Sequence, residues 1–164
     1  MDPTTAAPAR GQLRSDGPGA TRAIGRALGR AAEPGTLIAL VGELGAGKTQ
    51  LAKGVAEGLD VPSVVNSPTF VLMNEHVGRL RLYHVDAYRL SEPEEAADAG
   101  LIDERQADGV VVVEWADRLD GWLPAERLDI TIIGDDLDPS VRTLRWTARG
   151  EAHARLVDAA MGAP

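Results

Sequence analysis

No cysteine occurs among the 164 residues, which excludes disulfides and any zinc or iron–sulfur site built on thiolates. Aromatic residues make up only 4% of the chain, so its core must be assembled from aliphatic side chains. No apolar run approaches the roughly 20 residues needed to span a bilayer. The polar, Pro/Ala-rich N-terminus also lacks the apolar stretch of a signal peptide, and the expected compartment is the cytoplasm. Positive charge is scarce as well: 17 Lys/Arg stand against 25 Asp/Glu, for a net charge of −8. Residues 1–58 hold seven basic and five acidic side chains, so the negative charge lies in the remainder. An acidic chain is a poor stand-alone binder of nucleic acid, because that affinity comes largely from neutralising phosphates. A nucleic-acid role is therefore expected to run through a partner protein. Lysine is the rarest cation, with only Lys48 and Lys53 beside fifteen arginines.

What is present is organised around Gly42-Glu43-Leu44-Gly45-Ala46-Gly47-Lys48-Thr49, which fits the phosphate-binding pattern G-x-x-x-x-G-K-[ST]. The glycines let successive N–H groups face one anion-sized concavity, and the helix that follows adds its positive N-terminal end. In such a loop Lys48 reaches the β- and γ-phosphates and the Thr49 hydroxyl ligates Mg²⁺. The stretch Glu43, Leu44, Gly45, Ala46, Gly47, Lys48, Thr49 and Gln50 is the candidate nucleotide site. Its flanks agree: Thr36 to Val41 is an apolar run of buried-strand type, and Lys48 to Glu57 has helical character with Gly58 as C-cap.

Residues 1–16 are expected to form a loose terminus, with Gln12-Leu13-Arg14 as a short edge strand, and 17–164 a single domain. Asp16 is the expected N-cap of a helix from Pro18 to Ala32, whose apolar stripe is Ile24, Ala27, Leu28 and Ala31. Arg22, Arg26 and Arg30 repeat every four residues, as on a solvated face. Phe70–His76 and Leu80–Tyr88 form an expected hairpin. A short helix is expected from Ser91 to Gly100 and a further helical turn from Leu101 to Gln106. Val110–Val113 is a second buried strand, Arg127–Ile133 and Val141–Thr147 are an antiparallel pair, and Glu151–Met161 is a closing helix. From Thr36 onward the order is β-α-β-β-α-β-β-β-α. This implies an α/β fold of the P-loop NTPase type, with a mixed, largely parallel central sheet, an antiparallel hairpin, and helices on both faces.

Hydrolysis needs more than a phosphate loop: a carboxylate for Mg²⁺ and a group to orient the attacking water. In open α/β sheets such groups sit at the carboxyl ends of strands. Asp86 and Glu114 both occupy such positions, Glu114 directly after four valines.

The phosphate loop, Ser67-Pro68-Thr69-Phe70, His84-Val85-Asp86-Ala87-Tyr88-Arg89 and Glu114-Trp115 follow one another in the chain. Together they resemble the bacterial TsaE (YjeE) family, P-loop ATPases needed to make threonylcarbamoyladenosine in tRNA. The resemblance spans roughly residues 16–134. It implies an ATPase with Mg²⁺ as cofactor and ATP as substrate. It also implies the TsaD–TsaB pair as partners, and tRNA reached indirectly through that complex. In this reading Thr69 belongs to a switch-like loop that meets the γ-phosphate or Mg²⁺. Asp86 and Glu114 are the catalytic acids beside Lys48. The sequence does not separate which serves the metal and which the water; the preferred order is Glu114 for the metal and Asp86 for the water. Trp115 stacks on a base or partner or else joins the core, and His84 is a packed, hydrogen-bonded histidine. Two other functions share the loop: a small-molecule kinase, which would want an arginine-bearing lid the sequence does not display, and a nucleotide-sensing scaffold that binds without hydrolysing.

Overall fold

The computed structural model describes residues 8–43, 47–62, 73–88, 108–119 and 121–162. In chain order the elements are strand β1 (Ala9–Ser15), helix α1 (Pro18–Ala31), β2 (Leu37–Gly42), α2 (Lys48–Gly58), β3 (Met73–Val77), β4 (Arg81–Asp86) and β5 (Gly109–Glu114). A 3₁₀ turn (Ala116–Leu119), β6 (Arg127–Gly134), β7 (Arg142–Arg149) and α3 (Glu151–Met161) complete the chain. The expected helices within 91–106 and the Ser67–Phe70 segment lie outside the described residues.

The strands make one seven-stranded sheet in the order β1-β7-β6-β2-β5-β4-β3. β6, β2, β5 and β4 run parallel, while the β3/β4 hairpin and the β1/β7 and β7/β6 pairs are antiparallel. β5 is buried at every position, because parallel neighbours flank it on both edges and both of its faces are covered. That is why its sequence is an unbroken valine run rather than an alternating one.

Period-2 alternation sorts the strand residues into two cores. Ile38, Leu40, Val110, Val112, Leu128, Ile130 and Leu144 face α1, α2 and α3. Leu37, Ala39, Tyr83, Val85, Val111 and Val113 face the other way, where Ala116 and Leu119 of the 3₁₀ turn and Leu123 cover them. α3 is tied down by a buried histidine: the Leu37 N–H donates to His153 Nε2 at 3.0 Å. No helix among the described residues is long and apolar enough to cross a membrane.

α1 and α2 touch through glycine. A Cβ added at Gly25 would lie 2.2 Å from the Leu51 carbonyl oxygen, at Gly29 2.2 Å from that of Val55, at Gly54 2.0 Å from that of Arg22, and at Gly58 2.2 Å from that of Arg26. The two backbones therefore meet with no side chain between them. This corrects the reading of Gly58 as a C-cap: α2 runs through it, Leu59 caps the helix with φ −89°, and the missing side chain serves interhelix contact. Arg22 and Arg26 are likewise not a simply solvated row. Both guanidinium groups donate to the Glu57 carboxylate across the same interface.

Two N-terminal expectations also change. β1 runs for seven residues, longer than the expected edge strand, because β7 offers a ladder from Ala9 to Ser15. Asp16 does not cap α1. The N-cap position is Gly17 and makes no side-chain cap bond, while Asp16 accepts from Arg14 Nε at 2.8 Å. The Ser15 hydroxyl serves this turn instead, donating to the Gly17 carbonyl at 2.9 Å and lying 2.6 Å from the Thr21 hydroxyl.

Candidate functional site

β2, β4 and β5 end at one edge of the sheet, and their last residues meet the first turn of α2. Gly47, with φ 112°, takes the left-handed conformation that glycine adopts without strain and swings the chain into α2. The site is thus bounded by Lys48 and Thr49 on the helix and by Asp86 and Glu114, which are register partners at the ends of β4 and β5. A cleft of about 740 Å³ opens over them, lined also by Gly47, Gln50, Tyr88 and Trp115. This volume lies within the usual range of small-molecule sites.

Lys48 is only 5% exposed. Its ammonium donates to the carbonyl oxygens of Gly42 at 2.6 Å and Glu43 at 2.8 Å, and it sits 4.1 Å from the centre of the Trp115 ring. Burial lowers its pKa below the ordinary lysine value, against the opposing pull of the Glu114, Asp117 and Asp86 carboxylates. The aromatic face under the cation comes at a conformational cost. Trp115 has φ 57°, a region that bulky side chains rarely occupy. The Tyr88 ring packs on Trp115 with centroids 4.8 Å apart.

Glu114 is 2% exposed. Its Oε1 accepts the Thr49 hydroxyl at 3.0 Å, and its Oε2 is hydrogen-bonded to His84 Nε2. Asp86 is less enclosed, and its Oδ1 accepts the Tyr88 N–H at 2.9 Å. A hydroxyl and a carboxylate in contact form an all-oxygen donor set. That suits Mg²⁺, which keeps several waters and needs only one or two carboxylates plus substrate phosphates. No cluster of three or more His, Asp or Glu able to hold a metal occurs among the described residues.

The structure thus brings together Gly47, Lys48, Thr49, Gln50, Asp86 and Glu114, with Glu43 at the loop's start. Leu44, Gly45, Ala46 and Thr69 lie outside the described residues. Sequence reasoning missed the far walls of the cleft: Gly17, Pro18 and Thr21 from the start of α1, and Pro139, Ser140 and Arg142 from the β6–β7 connection. None carries a motif; the packing of α1 on α2 and the pairing of β7 with β1 and β6 place them there.

A glycine-rich turn between a buried strand and a helix, with acids ending the neighbouring parallel strands, defines a mixed α/β protein of the P-loop NTPase type. The chain belongs to the TsaE family, described as threonylcarbamoyl adenosine biosynthesis protein TsaE, whose sequence model matches residues 15–143. It is 42% identical over 148 residues to the tRNA threonylcarbamoyladenosine biosynthesis protein TsaE of Bacillus subtilis, covering 88% of this chain and 90% of that one. The Streptomyces coelicolor protein of the same name is 41% identical over 139 residues, covering 81% and 93%. Among solved structures, Bacillus subtilis YdiB superposes with a TM-score of 0.73 at 34% identity, covering 94% of this chain and 95% of that one.

Proposed function

We propose that this chain binds and hydrolyses ATP as the energy-coupling subunit of tRNA threonylcarbamoyladenosine synthesis. It acts with the TsaD–TsaB complex, and its hydrolysis resets the assembly between turnovers. Family membership supports the pathway. The observation that carries the ATPase reading is the contact between the Thr49 hydroxyl and the Glu114 carboxylate beside the enclosed Lys48 ammonium.

Thr49 and Glu114 are the residues that would hold Mg²⁺, which when bound offsets the charge of the β- and γ-phosphates. Lys48 exchanges the Gly42 and Glu43 carbonyls for phosphate oxygens, a stronger, charge-assisted partner. Asp86, across the register from Glu114, orients the attacking water and accepts its proton. The water oxygen then bonds to the γ-phosphorus as the bond to the bridging oxygen breaks, giving ADP and phosphate. Trp115 and Tyr88 wall the cleft, with Trp115 beneath the Lys48 ammonium. The acidic sequence displays no arginine-rich lid segment, which favours a coupling subunit over a kinase.

The test is association with purified TsaD and TsaB in the presence of ATP, ADP or no nucleotide, together with modification of tRNA in the reconstituted system. A nucleotide controls a partner only by binding one state better than another, so ATP and ADP are expected to give different affinities. Equal affinity in all three states, with modification proceeding in this protein's absence, would overturn the proposal. Phosphate release with no acceptor added separates it from a kinase.

A further inference from the structure

We propose that His84 is the positioning residue that holds the Glu114 carboxylate in register with Thr49, donating to it from Nε2. This inference rests on the reading of Thr49 and Glu114 as the Mg²⁺ side of the site.

The sheet register makes the arrangement. His84 pairs with Val112, and Asp86 with Glu114. His84 and Glu114 therefore lie diagonally on one face of adjacent parallel strands. The imidazole is fully buried at 0% exposure and does not line the cleft. Its Nε2 meets Glu114 Oε2, while Glu114 Oε1 meets the Thr49 hydroxyl at 3.0 Å. The carboxylate is thus gripped at both oxygens, one contact from the helix side and one from the sheet.

The other ring nitrogen decides the proton's place. His84 Nδ1 is buried and has no hydrogen-bond partner among the described residues. A proton there would be an orphaned buried donor, which costs more than an unpaired acceptor nitrogen. With Nε2–H the ring donates to the carboxylate and leaves no donor unsatisfied. This is the logic by which a supporting shell orients a metal-binding carboxylate, and loss of such a partner typically costs 10–100-fold in metal affinity or activity.

The experiment uses the full chain. Calorimetric titration of ATP over a series of Mg²⁺ concentrations gives the apparent Mg²⁺ affinity of the nucleotide site. His84→Gln places an amide N–H near the position of Nε2 and is expected to stay within about threefold of wild type. His84→Asn, with a side chain too short to reach Oε2, is expected to lose 10–100-fold in Mg²⁺ affinity, while Mg²⁺-free ATP binding through Lys48 changes little. Wild-type Mg²⁺ dependence in a folded His84→Asn protein overturns the inference. So does an equal loss in both variants, which would mean that packing alone matters. Since a buried substitution can prevent folding, nitrogen NMR of the wild-type imidazole supplies an independent reading. A proton on Nε2 is expected, and a ring protonated on Nδ1 alone overturns the proposal. If wild-type protein itself shows no Mg²⁺-dependent ATP binding, it is the assignment of the site that fails, and the tautomer still tests the His84–Glu114 contact.

Discussion

Gly54→Ala tests whether the bare backbone contact between α1 and α2 holds the phosphate loop in place. In an exposed helix the change should stabilise, because alanine is about 1 kcal/mol better than glycine within a helix. Here the new methyl would lie 2.0 Å from the Arg22 carbonyl oxygen and 2.9 Å from the Arg26 nitrogen, both backbone atoms that no rotamer change can move. Restoring an ordinary contact of 3.4 Å requires the helices to separate locally by about 1.4 Å. That separation strains the Arg22–Glu57 and Arg26–Glu57 pairs and loosens Leu28, Leu51 and Val55, all at 0% exposure. Overpacking of this kind costs about 1–3 kcal/mol, so after the propensity gain the expected net loss is roughly 0–2 kcal/mol. The more telling effect is functional. α2 carries Lys48 and Thr49 on its first turn, and a shift of about 1 Å there weakens ATP binding even where the protein stays folded. Urea denaturation and calorimetric ATP titration read the two effects separately. A variant that is stabilised by about 1 kcal/mol and binds ATP like wild type would show that the glycines are incidental.

Lys48→Ala should lower ATP affinity by tenfold or more, about 1.4 kcal/mol, in a folded protein, and undiminished calorimetric affinity would sink the assignment of the site. Thr49→Ala should lose chiefly the Mg²⁺-dependent part of the affinity, and equal losses with and without Mg²⁺ would contradict its role. Asp86→Asn should bind nucleotide within roughly tenfold of wild type but hydrolyse about 10²-fold more slowly, and wild-type phosphate release would make Asp86 a structural acid. His153 predicts acid sensitivity. Burial lowers its pKa from the ordinary 6.5, against smaller upward pulls from Glu126, the Arg149 backbone and Asp129, and protonation would also cost the bond from the Leu37 N–H. The unfolded chain takes up this proton first. Stability is therefore complete above about pH 6.5 and is lost as pH falls through the lowered folded value. Chemical denaturation across that window should show a shallower loss in His153→Gln, and identical slopes would refute the assignment.

The strands and the phosphate loop were legible because each rests on a local pattern. Apolar runs marked β2 and β5, the Gly134–Pro139 turn residues marked the β6–β7 pair, and the loop's spacing is itself the chemistry. Where two physical roles share one residue type, the local reading chose wrongly. Glycine at a helix end can cap or can admit a neighbouring backbone, and nothing near Gly58 reveals that Arg26 approaches it. Asp16 resembles a cap in sequence, yet Arg14 competes for it two residues away. The extent of β1 depends on β7, and pairing across most of the chain leaves no local trace. The acids Asp86 and Glu114 could be placed at strand ends, but the contacts that separate their surroundings belong to His84 and Thr49 and appear only once the strands are in register.

The pairing of β1 with β7 also bears on how the protein is made. The cleft takes one wall from residues 17–21 and another from residues 139–142, and Ala9–Ser15 is held to the sheet by Arg142–Arg149. On the ribosome the complete phosphate-loop motif emerges early, while the strand that brings the two walls together follows about a hundred residues later. At roughly 5–20 residues per second that interval lasts about 5–20 s. Throughout it the nascent chain displays every residue of the loop and has no closed cleft to put them in. A chain that stops between the phosphate loop and β7 keeps its signature motif intact yet lacks the cleft wall at residues 139–142 and the strand that holds Ala9–Ser15.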